Sequence, residues 1–162
     1  MKEEIKFLIE KLNLKPHPEG GWFGETYRSI EKVGEKEKSR NLSTAIYFLL
    51  EKGQFSALHK IKSDEIWHFY KGYPLEIFWI DPSGKWNTQL LGNDLLKNEL
   101  PQFTIQAGLW FGSRPAKRSD YSLVGCTVSP GFDFADFQLA EKEELLKQYP
   151  HLQKEIETFC IL

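Results

Sequence analysis

An all-β antiparallel sandwich or barrel, with helices confined to the two ends, is the fold class this sequence predicts. Three observations predict it. Short β-rich runs recur at a spacing of roughly 8–12 residues, punctuated by Gly and Pro. Aromatic residues make up 14% of the chain, a share that favours strands and concave pockets. Helical periodicity is confined to the first residues and to the stretch after Glu141. At 162 residues the chain reads as one domain, residues 1–162, long enough to bury roughly 70% of its unfolded surface.

In order along the chain, Ile5, Leu8, Ile9 and Leu12 form an apolar stripe, so residues 1–14 are predicted as a helix. It stops near Asn13, before Pro16 and Pro18. Gly20-Gly21 in HPEGGW frees the backbone for a sharp turn into the strand FGETYRS. EKVGEKEKS is a charged loop, and LSTAIYFLL is the next strand. FSALHKI and EIWHFY follow as two strands joined by the tight connection KSD. PLEIFWI, the turn DPSGK and WNTQLLG make a hairpin. GNDLLKNELP is an irregular connection with one helical turn, and FTIQAGLWFG is a strand bending at Gly108. SRPAKRSD is a polar loop, YSLVGCTVS a strand, and PGFDFADFQLA a strand with a bulge near Ala135. The strands thus fill residues 20–140. EKEELLKQY and HLQKEIETF are two short helices within 141–160, with Pro150 near the start of the second.

Composition excludes several function classes. A net charge of -2 gives no electrostatic reason to expect nucleic acid or an anionic membrane as partner. No apolar run approaches the length of a spanning helix. The charged start MKEEIKFLIEKLNL lacks the apolar core of a signal peptide, and Cys126 and Cys160 make no metal or redox spacing. A cytoplasmic protein with two reduced thiols is expected.

The candidate site lies in GQFSALHKIKSDEIWHFYKG, residues 53–72. The short connection brings His59 and Glu65 toward each other across neighbouring strands. An imidazole beside a carboxylate among aromatics is a pairing that core packing rarely selects.

The same stretch resembles the first motif of the cupin superfamily, G-x5-H-x-H-x3,4-E-x6-G. Gly53, His59, Glu65 and Gly72 occupy the first glycine, the first histidine, the glutamate and the closing glycine. The second motif, P-x-G-x-x-H, falls on QAGLWF with Gly108 at its glycine. The flanks HPEGGWFGETYRS, STAIYFLL and LVGCTVSPGFDFADFQLA resemble the cupin-5 branch, which carries a domain-of-unknown-function label. The resemblance spans residues 5–155 and implies a double-stranded β-helix, or jelly roll, of the kind found in sugar-nucleotide epimerases. It further implies a homodimer and a pocket inside the barrel. Metal cupins use three histidines and a glutamate. Here the second histidine position is Ile61 and the last falls at or beside Phe111, and neither can coordinate a cation. No metal and no cofactor are therefore expected, although His68 or His17 could stand in as ligands.

The catalytic candidates are His59, Glu65 and His68. His59 is either a hydrogen-bonded core histidine or a base oriented by Glu65. Counting from an inward Glu65 places His68 outward unless a bulge intervenes. The substrate-binding candidates are Tyr47, Trp67, Trp110, Phe111 and Arg28. Trp67 and Trp110 are either core aromatics or stacking platforms for a base or sugar. Tyr47 is a possible acid, and Arg28 pairs with Glu25 or reaches an anionic ligand. Three functions compete. One is metal-independent epimerisation or isomerisation of a carbonyl-bearing sugar or sugar nucleotide, with His59 as base. The second is a barrel that binds a small ligand, carbohydrate or nucleotide-sugar, without turnover. The third is a metal-dependent oxygenase, which requires iron, manganese or nickel.

Overall fold

The computed structural model describes residues 2–35, 38–116 and 120–162. Helix α1 (Lys2–Lys11) leads through β1 (Lys15–Pro16) into β2 (Trp22–Arg28). β3 (Lys32–Val33) and β4 (Arg40–Asn41) form a small ribbon, and β5 (Thr44–Glu51) follows. Then come β6 (Ser56–Lys60), β7 (Asp64–Gly72), β8 (Leu75–Ile80), β9 (Trp86–Leu91) and β10 (Glu99–Leu100). β11 (Gln102–Ile105), β12 (Trp110–Pro115), β13 (Tyr121–Ser129) and β14 (Gln138–Leu139) complete the strands. Helices α2 (Lys142–Gln148) and α3 (Gln153–Phe159) end the chain, joined by a single turn over Pro150–Leu152 that carries Pro150 in its first turn.

The long strands build two six-stranded sheets, β1-β2-β5-β13-β7-β11 and β10-β9-β8-β12-β6-β14. Every pairing within them is antiparallel except β9 with β10. Strand alternation explains how the layers close. Phe48 and Leu50 of β5, Trp67 of β7 and Val124 of β13 meet Leu75 and Ile77 of β8, Leu91 of β9 and Phe111 of β12 in one buried cluster. The alternate residue Leu49 packs on the outer side against Ile5 and Leu8 of α1. Leu145, Ile156 and Phe159 of the C-terminal helices cover Leu58, Phe78 and Ile80 of the second sheet. This is the jelly roll expected from the sequence.

Three local readings change. FTIQAGLWFG is not one bent strand: β11 and β12 belong to different sheets, and Gly108 turns between them at φ +79. β12 runs on through Ser113, Arg114 and Pro115, so SRPAKRSD begins as strand, while residues 117–119 lie outside the described residues. The parity slip near Ala135 is one 3-10 turn over Phe134–Asp136, whose first free amide is capped by Asp133. Residues 36–37 of the charged loop also lie outside the described residues. The change that matters most concerns KSD. β6 and β7 are not paired neighbours. The connection crosses from one sheet to the other, so His59 and Glu65 approach the interior from opposite walls.

Candidate functional site

Between the sheets lies a cavity of about 300 Å³. Sheet register places its first wall. Arg28, Thr44, Val128 and Glu65 stand in one row across β2, β5, β13 and β7, and Glu25, Ile46 and Cys126 stand in the adjacent row. The opposite wall carries His59 on β6 and Ile61 just beyond it. Phe23, Phe48, Phe132 and Phe134 line the remainder. Glu25, Arg28, Asp133 and Phe134 are exposed, so the mouth opens between β2 and the segment after β13.

The carboxylate partner of His59 is not Glu65 but Glu19. Glu19 Oε2 lies 3.1 Å from His59 Nε2, and both side chains are buried. The HPEGG segment carries Glu19 to that position. Gly20 and Gly21 take φ of +112 and +73, and the Ala57 amide donates to the Glu19 carbonyl at 2.8 Å, pinning the turn onto β6. Ser56 Oγ donates to Glu19 Oε1 at 2.8 Å. His17 Nδ1 accepts the Glu19 amide at 3.3 Å and lies 3.7 Å from Glu19 Oε2. Phe111 holds the other side of the His59 ring, with centroids 4.2 Å apart.

Proton accounting fixes the state of this network. The Ala57 carbonyl can only accept, so His59 Nδ1, at 2.7 Å, carries a proton and donates it. Nε2 then faces a carboxyl oxygen, and that contact requires one more proton between them. Burial drives His59 down to about 4 and pushes Glu19 up, and both directions favour the shared proton on Glu19 over the imidazole.

Glu65 faces them from β7. Burial, reinforced by the Glu19 carboxyl, pushes it up to about 8, while the nearby Cys126 thiol opposes the rise. Its Oε2 is buried without a hydrogen-bond partner. Among the described residues, no hydrogen bond or ion pair joins Glu65 to His59.

The remaining sequence candidates separate. His68 lies on the opposite face of β7 from Glu65 and Trp67, bonded to Thr127 Oγ1 at 3.0 Å and outside the cavity lining. Its assignment as a catalytic group is corrected by strand parity. Tyr47 likewise faces outward and packs edge-on against Tyr70. Trp67 and Phe111 are core residues behind the lining, each 1% exposed. Trp110 lines a separate groove beside α2, with Lys60 Nζ 4.4 Å from its ring. Arg28 is at the mouth, but Glu25 holds its guanidinium through bonds of 2.9 and 2.7 Å. Sequence reasoning gave Glu19 no role and named His17 only as a substitute ligand. The available signal was a His and a Glu flanking Pro18, directly before two glycines.

The residues do not fit the metal set of the fold. Ile61 and Phe111 fill two ligand positions with buried apolar groups, and both nitrogens of His59 are already engaged. Among the described residues, no group of three His, Cys, Asp or Glu could hold a metal ion.

The buried groups make stability depend on pH in two opposed windows. His59 is lowered in the fold, so stability falls as pH drops from 6.5 toward about 4, where only the unfolded chain binds that proton. Glu65 is raised, so stability falls as pH climbs from 4.5 toward about 8, where only the folded chain keeps that proton. The two slopes oppose each other from 4.5 to 6.5. Denaturant melts should therefore show a plateau there and a loss of order 1 kcal/mol per pH unit between pH 6.5 and 8. Equal stability at pH 6.5 and 8 would contradict this placement of Glu65.

Two facing sheets enclosing a polar-floored cavity define a cupin-type barrel. The chain belongs to the family described as Cupin superfamily (DUF985), which it matches over residues 6–140. An uncharacterized protein of Saccharomyces cerevisiae is 30% identical over 158 residues, covering 88% of this chain and 78% of the yeast protein. A hypothetical protein from Leishmania major superposes with a TM-score of 0.89 at 37% identity, covering 96% of this chain and 97% of that one. A protein from Shewanella oneidensis gives 0.86 at 40% identity, with 94% of each chain covered. Oxalate decarboxylase from Bacillus subtilis shares the fold, at a TM-score of 0.56 and 18% identity, over 89% of this chain and 36% of that one. No helix is long and apolar enough to cross a membrane among the described residues.

Proposed function

We propose that this chain is a metal-independent isomerase or epimerase that moves a proton next to the carbonyl of a small molecule, such as a sugar derivative. The observation that carries the proposal is Glu65 Oε2, a buried carboxyl oxygen without a partner in the wall of the cavity. A carboxyl held near 8 sits close to working pH, where a proton-transfer group is most effective. His59 is fully engaged by Ala57 and Glu19, so the role of base passes from His59 to Glu65.

The chemistry balances as follows. Ionised Glu65 takes a proton from the carbon beside the carbonyl. The bonding pair moves into a new carbon–carbon double bond, and the carbonyl oxygen becomes an enolate oxygen that a hydrogen bond can stabilise. His17 is the candidate donor to that oxygen: Nδ1 accepts from the Glu19 amide, leaving the ring proton of the neutral form on Nε2. Where the carbon beside the carbonyl carries a hydroxyl, the hydroxyl proton passes to the former carbonyl oxygen and Glu65 returns the carbon proton to the former carbonyl carbon. The substrate is then isomerised, with the carbonyl re-formed one carbon along. Return to the original carbon from the opposite face epimerises it, and the Glu19–His59 pair on the far wall is the candidate second acid. At roughly 30 Å³ per water-sized group the cavity holds about ten such groups. That is the scale of a monosaccharide. A nucleotide attached to it would lie outside the mouth.

The test is solvent deuterium incorporation into aldoses and ketoses, followed by NMR. Incorporation at the carbon beside the carbonyl is expected, with kcat/KM rising through about pH 8 as Glu65 ionises. Binding without incorporation across the panel would instead make the barrel a ligand-binding protein without turnover.

A further inference from the structure

We infer that the cavity is built to receive a cation: a small molecule whose ammonium group sits on Glu65 and whose carbon frame lies against the phenyl rings. This rests on reading the barrel cavity as the ligand site and adds the charge of the ligand. Four of the ionisable side chains in the lining are carboxyls, namely Glu19, Glu25, Glu65 and Asp133. Among the described lining residues the one permanent cation is Arg28, and its donors are taken. Nε and Nη2 donate to the two oxygens of Glu25, and Nη1 donates to Asn41 Oδ1 and to the Phe132 carbonyl. Among the described lining residues an anionic ligand would meet no free cation.

Every charged or titratable neighbour of Glu65 points the same way. Cys126 on β13 offers only a thiol proton, and burial with nearby carboxyls keeps that thiol un-ionised. Across the cavity, His59 on β6 and His17 in the turn before β2 are held neutral by burial. Glu19 lies among them as a second carboxyl. Glu65 Oε2 is left as the one buried carboxyl oxygen in this set without a partner. An ammonium placed there would gain a charge-assisted hydrogen bond, and the rings of Phe23, Phe48, Phe132 and Phe134 favour a cation over their faces. Its arrival displaces the Glu65 proton to solvent. One positive charge enters as one negative charge forms, so no net charge is buried. The ionised carboxylate left beside the ligand is the form required of a base.

Three probes of matched shape test this: cyclohexylammonium, cyclohexanol and cyclohexanecarboxylate, titrated calorimetrically at pH 7 in buffers of different ionisation enthalpy. The ammonium is expected to bind roughly ten- to a hundredfold tighter than the alcohol, the scale of a hydrogen bond to a charged group. The carboxylate should bind weakest, and ammonium binding should release close to one proton. Glu65→Gln should remove the preference for the ammonium while the alcohol still binds, and its melting curve shows whether it folds. The proton release is read on the wild-type protein and needs no variant. Equal or tighter binding of the alcohol, or ammonium binding without proton release, overturns the inference and leaves the barrel site standing. No binding by any of the three at millimolar concentration overturns both.

Discussion

Glu65→Gln should lower solvent deuterium exchange by roughly 10²–10⁴-fold, the usual contribution of a positioned proton-transfer group. The same substitution should abolish the loss of stability between pH 6.5 and 8. The two effects share one cause. A glutamine keeps the shape of a neutral glutamic acid, so the neighbouring Trp67, Val128 and Cys126 need not repack. It cannot ionise. The variant therefore loses the carboxylate required for proton abstraction and, with it, the cost of a buried carboxylate at alkaline pH. A variant that becomes flat with pH but exchanges deuterium at the wild-type rate would keep Glu65 as a buried acid and remove it as the proton carrier. A variant that loses exchange but keeps the alkaline slope would place the titrating group elsewhere, with Glu19 the first to examine.

The fold was legible because its determinants are local. Period-2 alternation in TAIYFLLE, LEIFWI and YSLVGCTVS reports a pleated surface packed from both sides, and DPSGK closes its hairpin as the turn residues require. The inward parity of Glu65 and the outward parity of His68 follow from the same count, since β7 has no irregularity before Phe69. What could not be read is which strands pair. The tripeptide KSD is as short in a crossover between sheets as in a hairpin, and proximity along the chain made Glu65 seem the partner of His59. The true partner, Glu19, is forty residues upstream of His59 in sequence, 59 minus 19. Only the closed barrel brings its loop under β6. The sequence reads Cys126 only as a reduced thiol, and its place near Glu65 depends on β13 lying beside β7, which a single strand's pattern does not report.

Gly20→Ala should destabilise the protein by about 3 kcal/mol, lowering Tm by roughly 6–12 °C for a chain of this length. Two terms add. A φ of +112 is strained for any residue with a Cβ, and a Cβ here would overlap the Phe55 carbonyl oxygen, which is backbone and cannot swing aside. Gly53→Ala separates the two. Its φ is +84, but nothing lies within 4 Å of the added carbon, so only the dihedral cost of about 1–2 kcal/mol applies. The turn at Gly20 also carries the site. Forcing it away from Phe55 draws Glu19 off His59 and lets water reach the imidazole. His59, which burial lowers to about 4 in the intact protein, should move toward the ordinary histidine value near 6.5 in Gly20→Ala and stay low in Gly53→Ala, read from its ring resonances. Equal melting points for the two variants, or an unmoved His59 titration in Gly20→Ala, would mean that the close approach at Phe55 does not hold the Glu19 turn in place.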